Sequence, residues 1–343
     1  MGDGSTGRAP LDVGSVCAPM QTARGEWGFM LRFCLVVLSL IASSLLARAD
    51  DGARDAREQK CIDAGWTRVI DASGRRFLWK GPADRWTHGA IIVMHGGGGS
   101  ADHWCHASHE IVATQVAFAE AAIAQGFAVF TLDSTDRVSD REERACGKVW
   151  DDEVRNRANI DLPFIEGLLR ETIPNLRPRG SGKGIFLTGL SSGGFMTVRA
   201  ATHFDGLVTA FAPAASGDPY GWHRVCDASL SPRRTVFGIG VDNETKRQIT
   251  EEGACRASAY PNEMPWETQR PAKKPPFKLF QHEKDGIHDF SCHEKVRIQL
   301  TAHGYPDAGA FVVRDAGRRR LIHHFWQQAY TQPVLAFFKG EGR

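Results

Sequence analysis

Continuous apolar runs, each followed by a stretch with helical spacing, restrict this chain to few folds. Ala90-Ile91-Ile92-Val93-Met94, Phe127 to Asp133 and Gly184 to Thr188 read as strands of a kind buried on both faces. Between them, Ile111 to Gln125 repeats apolar residues at helical spacing. Asp151 to Arg170 does the same with a stripe at Ile160, Phe164, Ile165, Leu168 and Leu169. Leu207 to Ala212, Phe277 to Phe280 and Ala310 to Val313 continue as strands, and Cys292 to Ala302 and Trp326 to Phe338 as helices. Trp66 to Ile70 and Arg76 to Trp79 form an expected antiparallel pair around Asp71-Ala72-Ser73-Gly74. Strands alternating with helices predict the α/β class: a mostly parallel, doubly wound sheet with helices on both faces and right-handed crossovers. Residues 218–275 break the rhythm with many Pro and charged residues, two cysteines and the run Thr235 to Val241, and read as a lid-like insertion.

The first 49 residues belong to something else. Residues 1–29 lack apolar periodicity, whereas Arg32 precedes the apolar core Cys34 to Ala42, and Ala47-Arg48-Ala49 closes the segment. A basic residue, a short apolar core and an A-x-A site predict a secretory signal peptide starting at Met30 and cleaved after Ala49. The core falls short of the about 20 residues of a membrane span. The expected product is therefore one domain over 50–343, secreted or periplasmic, with no membrane span left after cleavage. Cys61, Cys105, Cys146, Cys226, Cys255 and Cys292 remain, an even set in an oxidising compartment where disulfides are the rule. Cys226 with Cys255, flanking the insertion, is the first expected pair, and Cys105 with Cys146 the second. A formal net charge of +2 gives no sign of a nucleic-acid partner. No oligomeric state follows from the sequence.

Gly189-Leu190-Ser191-Ser192-Gly193-Gly194 lies between the strand ending at Thr188 and the apolar, helix-like Phe195 to Ala201. G-x-S-x-G at a strand-to-helix turn lifts a serine hydroxyl onto a helix N-terminus. A serine hydroxyl needs a base, and the base an orienting acid. This strand–turn–helix serine resembles the nucleophile elbow of the α/β-hydrolases, and the resemblance implies an acid after a later strand and a histidine after the last one. Asp285, in the turn ending at Gly286, is the candidate acid, with Asp289 and Asp242 behind it. His324 is the candidate base and His323 its alternative, since adjacent side chains point in different directions. An oxyanion needs preplaced donors. His95-Gly96-Gly97-Gly98-Gly99 follows its strand where the same resemblance implies such a donor, so Gly97, Gly98 and the Ser192 N–H are the candidates. No Lys-Ser/Thr follows the glycines, which argues against a phosphate cradle.

Together His95-Gly96-Gly97-Gly98-Gly99, Gly189-Leu190-Ser191-Ser192-Gly193-Gly194-Phe195-Met196-Thr197 and the late Asp-then-His order resemble the polyhydroxybutyrate depolymerase and feruloyl esterase branch of the α/β-hydrolases. The likeness covers about residues 85–340. It implies Ser191 as nucleophile, Asp285 as acid, His324 as base, and no cofactor or metal. The implied substrate is a small or polymeric carboxylic ester. A peptidase of the same fold acting on small peptides, or a non-catalytic binding protein, are the alternatives. The chain departs from the branch at the histidine, which Arg318-Arg319-Arg320-Leu321-Ile322 precedes in place of Gly-x-Gly. His103, His106 and His109 recur every third residue but without a matching carboxylate, so they read as solvated histidines rather than ligands. Trp104, Trp150, Trp222 and Trp326 are expected near strand ends, either lining a substrate pocket or packing beneath a lid.

Overall fold

The computed structural model describes residues 52–135, 138–139, 145–152, 158–220, 235–236, 239–240, 273–288, 290–318 and 320–341, apart from 53 and 205. The signal peptide, Trp222, Asp242, Asp289 and the Cys226–Cys255 pair lie outside the described residues, as does most of the insertion.

Helix α1 (residues 55–63) leads into β1 (Thr67–Ile70) and β2 (Arg76–Lys80). Then come β3 (Gly89–Met94), α2 (Glu110–Ala124), β4 (Phe127–Leu132) and the short β5 (Val138–Ser139) and β6 (Ala145–Gly147). Helix α3 (Leu162–Gly167) runs through a π-helical turn, Leu168–Thr172, into α4 (Ile173–Leu176). The remaining elements are β7 (Ile185–Leu190), α5 (Ser192–His203), β8 (Ala210–Ala214), β9 (Thr235–Val236), β10 (Ile239–Gly240), β11 (Phe277–His282), α6 (Phe290–Ala302), β12 (Asp307–Val313) and α7 (Thr331–Lys339).

One eight-stranded sheet has the order β1-β2-β4-β3-β7-β8-β11-β12. β1, β2 and β4 pair antiparallel in turn, and β4, β3, β7, β8, β11 and β12 run parallel. Counting only these strands, the order is 1-2-4-3-5-6-7-8, that of the α/β-hydrolase fold. The parallel strands share one carboxyl edge, the edge where sites form in such sheets.

Period-two burial explains the runs. Ala90, Ile92 and Met94 enter one core with Ile165, Leu168 and Leu169, while Ile91 and Val93 enter the other with Phe118, Val334 and Phe338. Strands β3, β4, β7 and β8 are buried along their whole length. α7 stops at Gly340, whose φ of 87° supplies the left-handed cap.

Four expectations need correction. The helix expected from Asp151 starts at Leu162. Pro163, which has no N–H, fits only the first turn, and Asn159 Oδ1 accepts from the amides of Asp161 and Leu162 at 2.9 and 2.8 Å. The closing helix starts at Thr331, because Gln327 Nε2 donates to the carbonyls of Ile322 and Phe325 and folds the preceding residues into a turn. β8 lies a few residues later than expected, at Ala210–Ala214. Cys105 is bonded to Cys61, with Cα atoms 5.4 Å apart, and not to Cys146. That bond ties α1 to the turn after Trp104, a partnership that strand adjacency does not reveal. Cys292 is also disulfide-bonded.

Candidate active site

Ser191 stands between β7 and α5 with φ 55° and ψ −122°, a backbone state costly for any residue with a side chain. The elbow holds it there. Ser191 N–H donates to the Ala214 carbonyl at 3.0 Å, and its own carbonyl accepts from Gly194 and Phe195. The turn is so tight that a Cβ on Gly189 would lie 2.3 Å from the Gly193 carbonyl oxygen. One on Gly193 would lie 2.4 Å from the Met94 and His95 carbonyl oxygens. These glycines are therefore where β7, α5 and β3 touch through bare backbone.

Beside the elbow, the loop after β3 is held from both sides of His95. The ring is fully buried; Nδ1–H donates to the Gly96 carbonyl at 2.7 Å and Nε2 accepts from Ser134 N–H at 3.0 Å. Burial first, then the Lys148 ammonium, push this imidazole down to about 3, so it is neutral. The His95 carbonyl accepts from Trp150 Nε1 at 2.8 Å, and the Trp150 amide donates to Ser192 Oγ at 3.0 Å. Trp150 thus ties the loop to the elbow.

The glycines of this loop differ in what their amides do. Gly98 N–H donates to the Lys148 carbonyl at 2.7 Å and Gly99 N–H to the Gly96 carbonyl at 3.0 Å. Gly98 is therefore already engaged and adopts φ 70° to be so. Gly97 N–H and Ser192 N–H have no acceptor among the described residues. A Cβ on Gly96 would come 3.5 Å from Ser191 Cβ, which puts this loop against the serine.

Asp285 and His324 meet beyond the end of β11, at the same carboxyl edge. His324 Nδ1 lies 2.9 and 3.1 Å from the two Asp285 carboxylate oxygens, and both residues are buried. Asp285 Oδ1 accepts from the amides of Ile287 and His288 at 2.7 and 2.9 Å, and Oδ2 from Gln281 Nε2 at 3.0 Å. Burial alone would raise the carboxyl's pKa, but His324, His288 and the Ile287 amide outweigh it and hold the pKa below its usual value. The acid turn reaches the histidine segment through Gly286, where a Cβ would stand 2.6 Å from the Arg320 carbonyl carbon. His324 Nε2 and Ser191 Oγ are both buried, and neither has a hydrogen-bond partner among the described residues.

His323 goes elsewhere. Its Nδ1–H donates to the Lys284 carbonyl at 2.9 Å, its Nε2 lies 3.2 Å from Asp315, and its ring stacks on His282 with centroids 3.8 Å apart. His282 Nδ1 accepts from the Lys284 amide at 3.0 Å. The two rings therefore grip both backbone groups of the residue before Asp285. His282, Asp315 and His323 also place possible ligand atoms within 4.8 Å of one another. With Nδ1 of His282 accepting, however, the hydrogen of the neutral ring sits on Nε2, so metal ligation there would require giving up the Lys284 bond.

The tryptophans pack in the interior. Trp104, Trp150 and Trp326 are essentially fully buried; Trp104 and Trp326 meet edge-on at 5.2 Å over Phe118. His103 is half-buried, and burial lowers its pKa. The residues missed in the sequence are His95 as a clamp, Trp150, Gln281 and the His282–His323 stack. Of these, His95 stood out by its place at the head of the glycine run, Trp150 as an aromatic near a strand end and His323 as the alternative base, but their roles as clamps did not.

No family model matches the chain, and no curated protein matches it. Similar solved structures include SOBER1 of Arabidopsis thaliana, 13% identical, spanning 74% of this chain and 99% of that one with a TM-score of 0.44. A Bacillus cereus carboxylesterase is 10% identical over 79% of this chain and 96% of its own, with a TM-score of 0.46. The acylaminoacyl peptidase of Pyrococcus horikoshii is 13% identical over 80% of this chain and 41% of its own, with a TM-score of 0.47. Among the described residues no helix is long and apolar enough to cross a membrane.

Proposed function

We propose that this protein is an exported serine hydrolase that cleaves carboxylic esters through an acyl-enzyme. One observation carries the reading. A buried carboxylate–imidazole pair leaves its outer nitrogen without a partner among the described residues, at the same sheet edge as a serine strained onto a helix N-terminus.

His324 Nε2 takes the Ser191 proton as Oγ adds to the ester carbonyl carbon, and Asp285 stabilises the imidazolium. The negative charge on the carbonyl oxygen meets Gly97 N–H and Ser192 N–H, neither of which has an acceptor among the described residues. Collapse breaks the bond to the leaving oxygen, which takes the proton from His324 and departs as the alcohol. Water then adds to the acyl-enzyme, giving its proton to His324. Ser191 leaves with that proton, and the carboxylic acid is released. The ester class rests on the sequence resemblance to depolymerases and feruloyl esterases. The Cys61–Cys105 disulfide supports an oxidising compartment and hence the signal-peptide reading.

A 4-nitrophenyl ester should give a nitrophenol burst stoichiometric with enzyme, absent in Ser191→Ala. A burst of equal size in both proteins contradicts the nucleophile. Mass mapping of the exported protein should find Asp50 at its N-terminus; a terminus before Arg32 overturns the cleavage site.

A further inference from the structure

Helix α2 presents Val112, Gln115, Phe118, Ala119 and Ala122 to the interior. The stripe is apolar except at Gln115, which is 2% exposed. No hydrogen bond joins its amide to another described residue. Its amide is therefore not sealed in the core but opens onto the space beside the helix, where a methionine or leucine would offer no donor. Such a group has a use when something else completes its hydrogen bonds.

Gln115 lines a cavity of about 260 Å³ with Ile111, Val112, Leu190, Phe325 and Gly97. Leu190 precedes the serine, Phe325 follows the paired histidine, and Gly97 carries the unengaged amide. At about 30 Å³ per small group, the space suits a short chain rather than a drug-sized ligand. The leaving oxygen of an ester must lie toward His324 Nε2, which protonates it. The cavity on the glycine-loop side therefore receives the other arm of the ester.

We infer that this cavity holds the acyl chain and that Gln115 is its specificity-determining residue. It selects short chains bearing an oxygen acceptor over hydrocarbon chains of equal length. Ile111, Val112, Leu190 and Phe325 take the methylene groups, and Gln115 Nε2, rather than the half-buried His103 or the exposed Ser108 and His109, donates to the oxygen. This rests on the ester-hydrolase reading above. A site built around a polar group discriminates by leaving that group unpaired with the wrong substrate.

The test compares 4-nitrophenyl 3-methoxypropanoate with 4-nitrophenyl pentanoate, in which a CH₂ replaces the ether oxygen. Wild-type protein and Gln115→Met, a change that keeps volume, are assayed on both esters, so differences in intrinsic reactivity cancel. The expected result is a roughly tenfold fall in the kcat/KM ratio of methoxypropanoate to pentanoate in the variant, the value of about one hydrogen bond. An unchanged ratio, with both rates falling together, shows a packing role and overturns the inference. Binding of 3-methoxypropanamide and pentanamide to Ser191→Ala, with and without Gln115→Met, is read in parallel by ligand-observed NMR. A preference for the ether that Gln115→Met abolishes sustains the pocket even if no ester is hydrolysed, in which case the ester reading alone fails. Equal binding in both backgrounds overturns the pocket.

Discussion

The two halves of the site are built by different means. Around Ser191 the geometry comes from backbone against backbone: Gly189, Gly193 and the Met94–His95 carbonyls approach closer than any side chain would permit, between fully buried parallel strands. Around His324 it comes from side chains bridging two loops, with Asp285 held by the Ile287 and His288 amides and Gln281. The first construction is rigid and intolerant; the second is a hydrogen-bonded assembly with only one close backbone approach, at Gly286. Damage to the first half should therefore cost stability and activity together, and damage to the second mostly activity.

Gly193→Ala gives the largest expected effect. Its methyl would press on two carbonyl oxygens of β3 and its loop, so both folding and hydrolysis should fail, read by a loss of about 3 kcal/mol or more in denaturant unfolding. Near-normal stability would show that the elbow can relax.

Gly286→Ala should leave a folded protein. Its methyl would press on Arg320 and Leu321 backbone in a loop rather than between sheet strands, so kcat should fall about 10²-fold, as misplacement of a catalytic group does, with a stability loss smaller than that of Gly193→Ala. A large stability loss instead would erase the distinction between the halves.

Acid separates them too. His95 beside the elbow and His293 on α6 are both held down to about 3, His95 by burial and Lys148, His293 by burial and Arg297. The unfolded chain, with histidines near 6.5, then binds more protons than the folded one below neutrality. Their stabilisation is complete above about pH 6.5 and should fall by about 2 kcal/mol each by pH 5. Asp285, with its pKa depressed, contributes stability above the usual carboxylate range, lost only as pH falls through its folded value. Melting followed from pH 7 to pH 4 should thus show the histidine loss first. A flat profile down to pH 5 would contradict the buried neutral state of His95.

The smallest effect is expected at His323→Ala, a loss of at most about tenfold in kcat, since it holds the Lys284 carbonyl and touches no reacting atom. The pH profile of kcat/KM should keep its shape.

The same contrast explains what the sequence could reveal. The elbow and its neighbouring loop were legible because backbone contact demands glycine at fixed places, and apolar runs demand buried strands. Asp285 was legible by its place after a strand and before Gly286. The choice between His323 and His324 was not, because it depends on which ring faces Asp285 and which faces Lys284 and Asp315. Cys61–Cys105 was missed because it joins α1 to a turn, outside the strand rhythm. Trp150 looked like a loop aromatic, and its role depends on two bonds, to His95 and Ser192, that no pattern encodes. Gln115 did leave a trace, as the polar residue in the inward stripe of α2.

The central claim is that the buried pair Asp285–His324 serves Ser191. Fluorophosphonate labelling rates, with the adduct mapped by peptide mass, test it directly. Wild-type and His323→Ala proteins should label at Ser191 at rates within about tenfold of each other, whereas His324→Ala should label about 10³-fold more slowly. Labelling at another residue, or the loss following His323 instead of His324, would contradict the account.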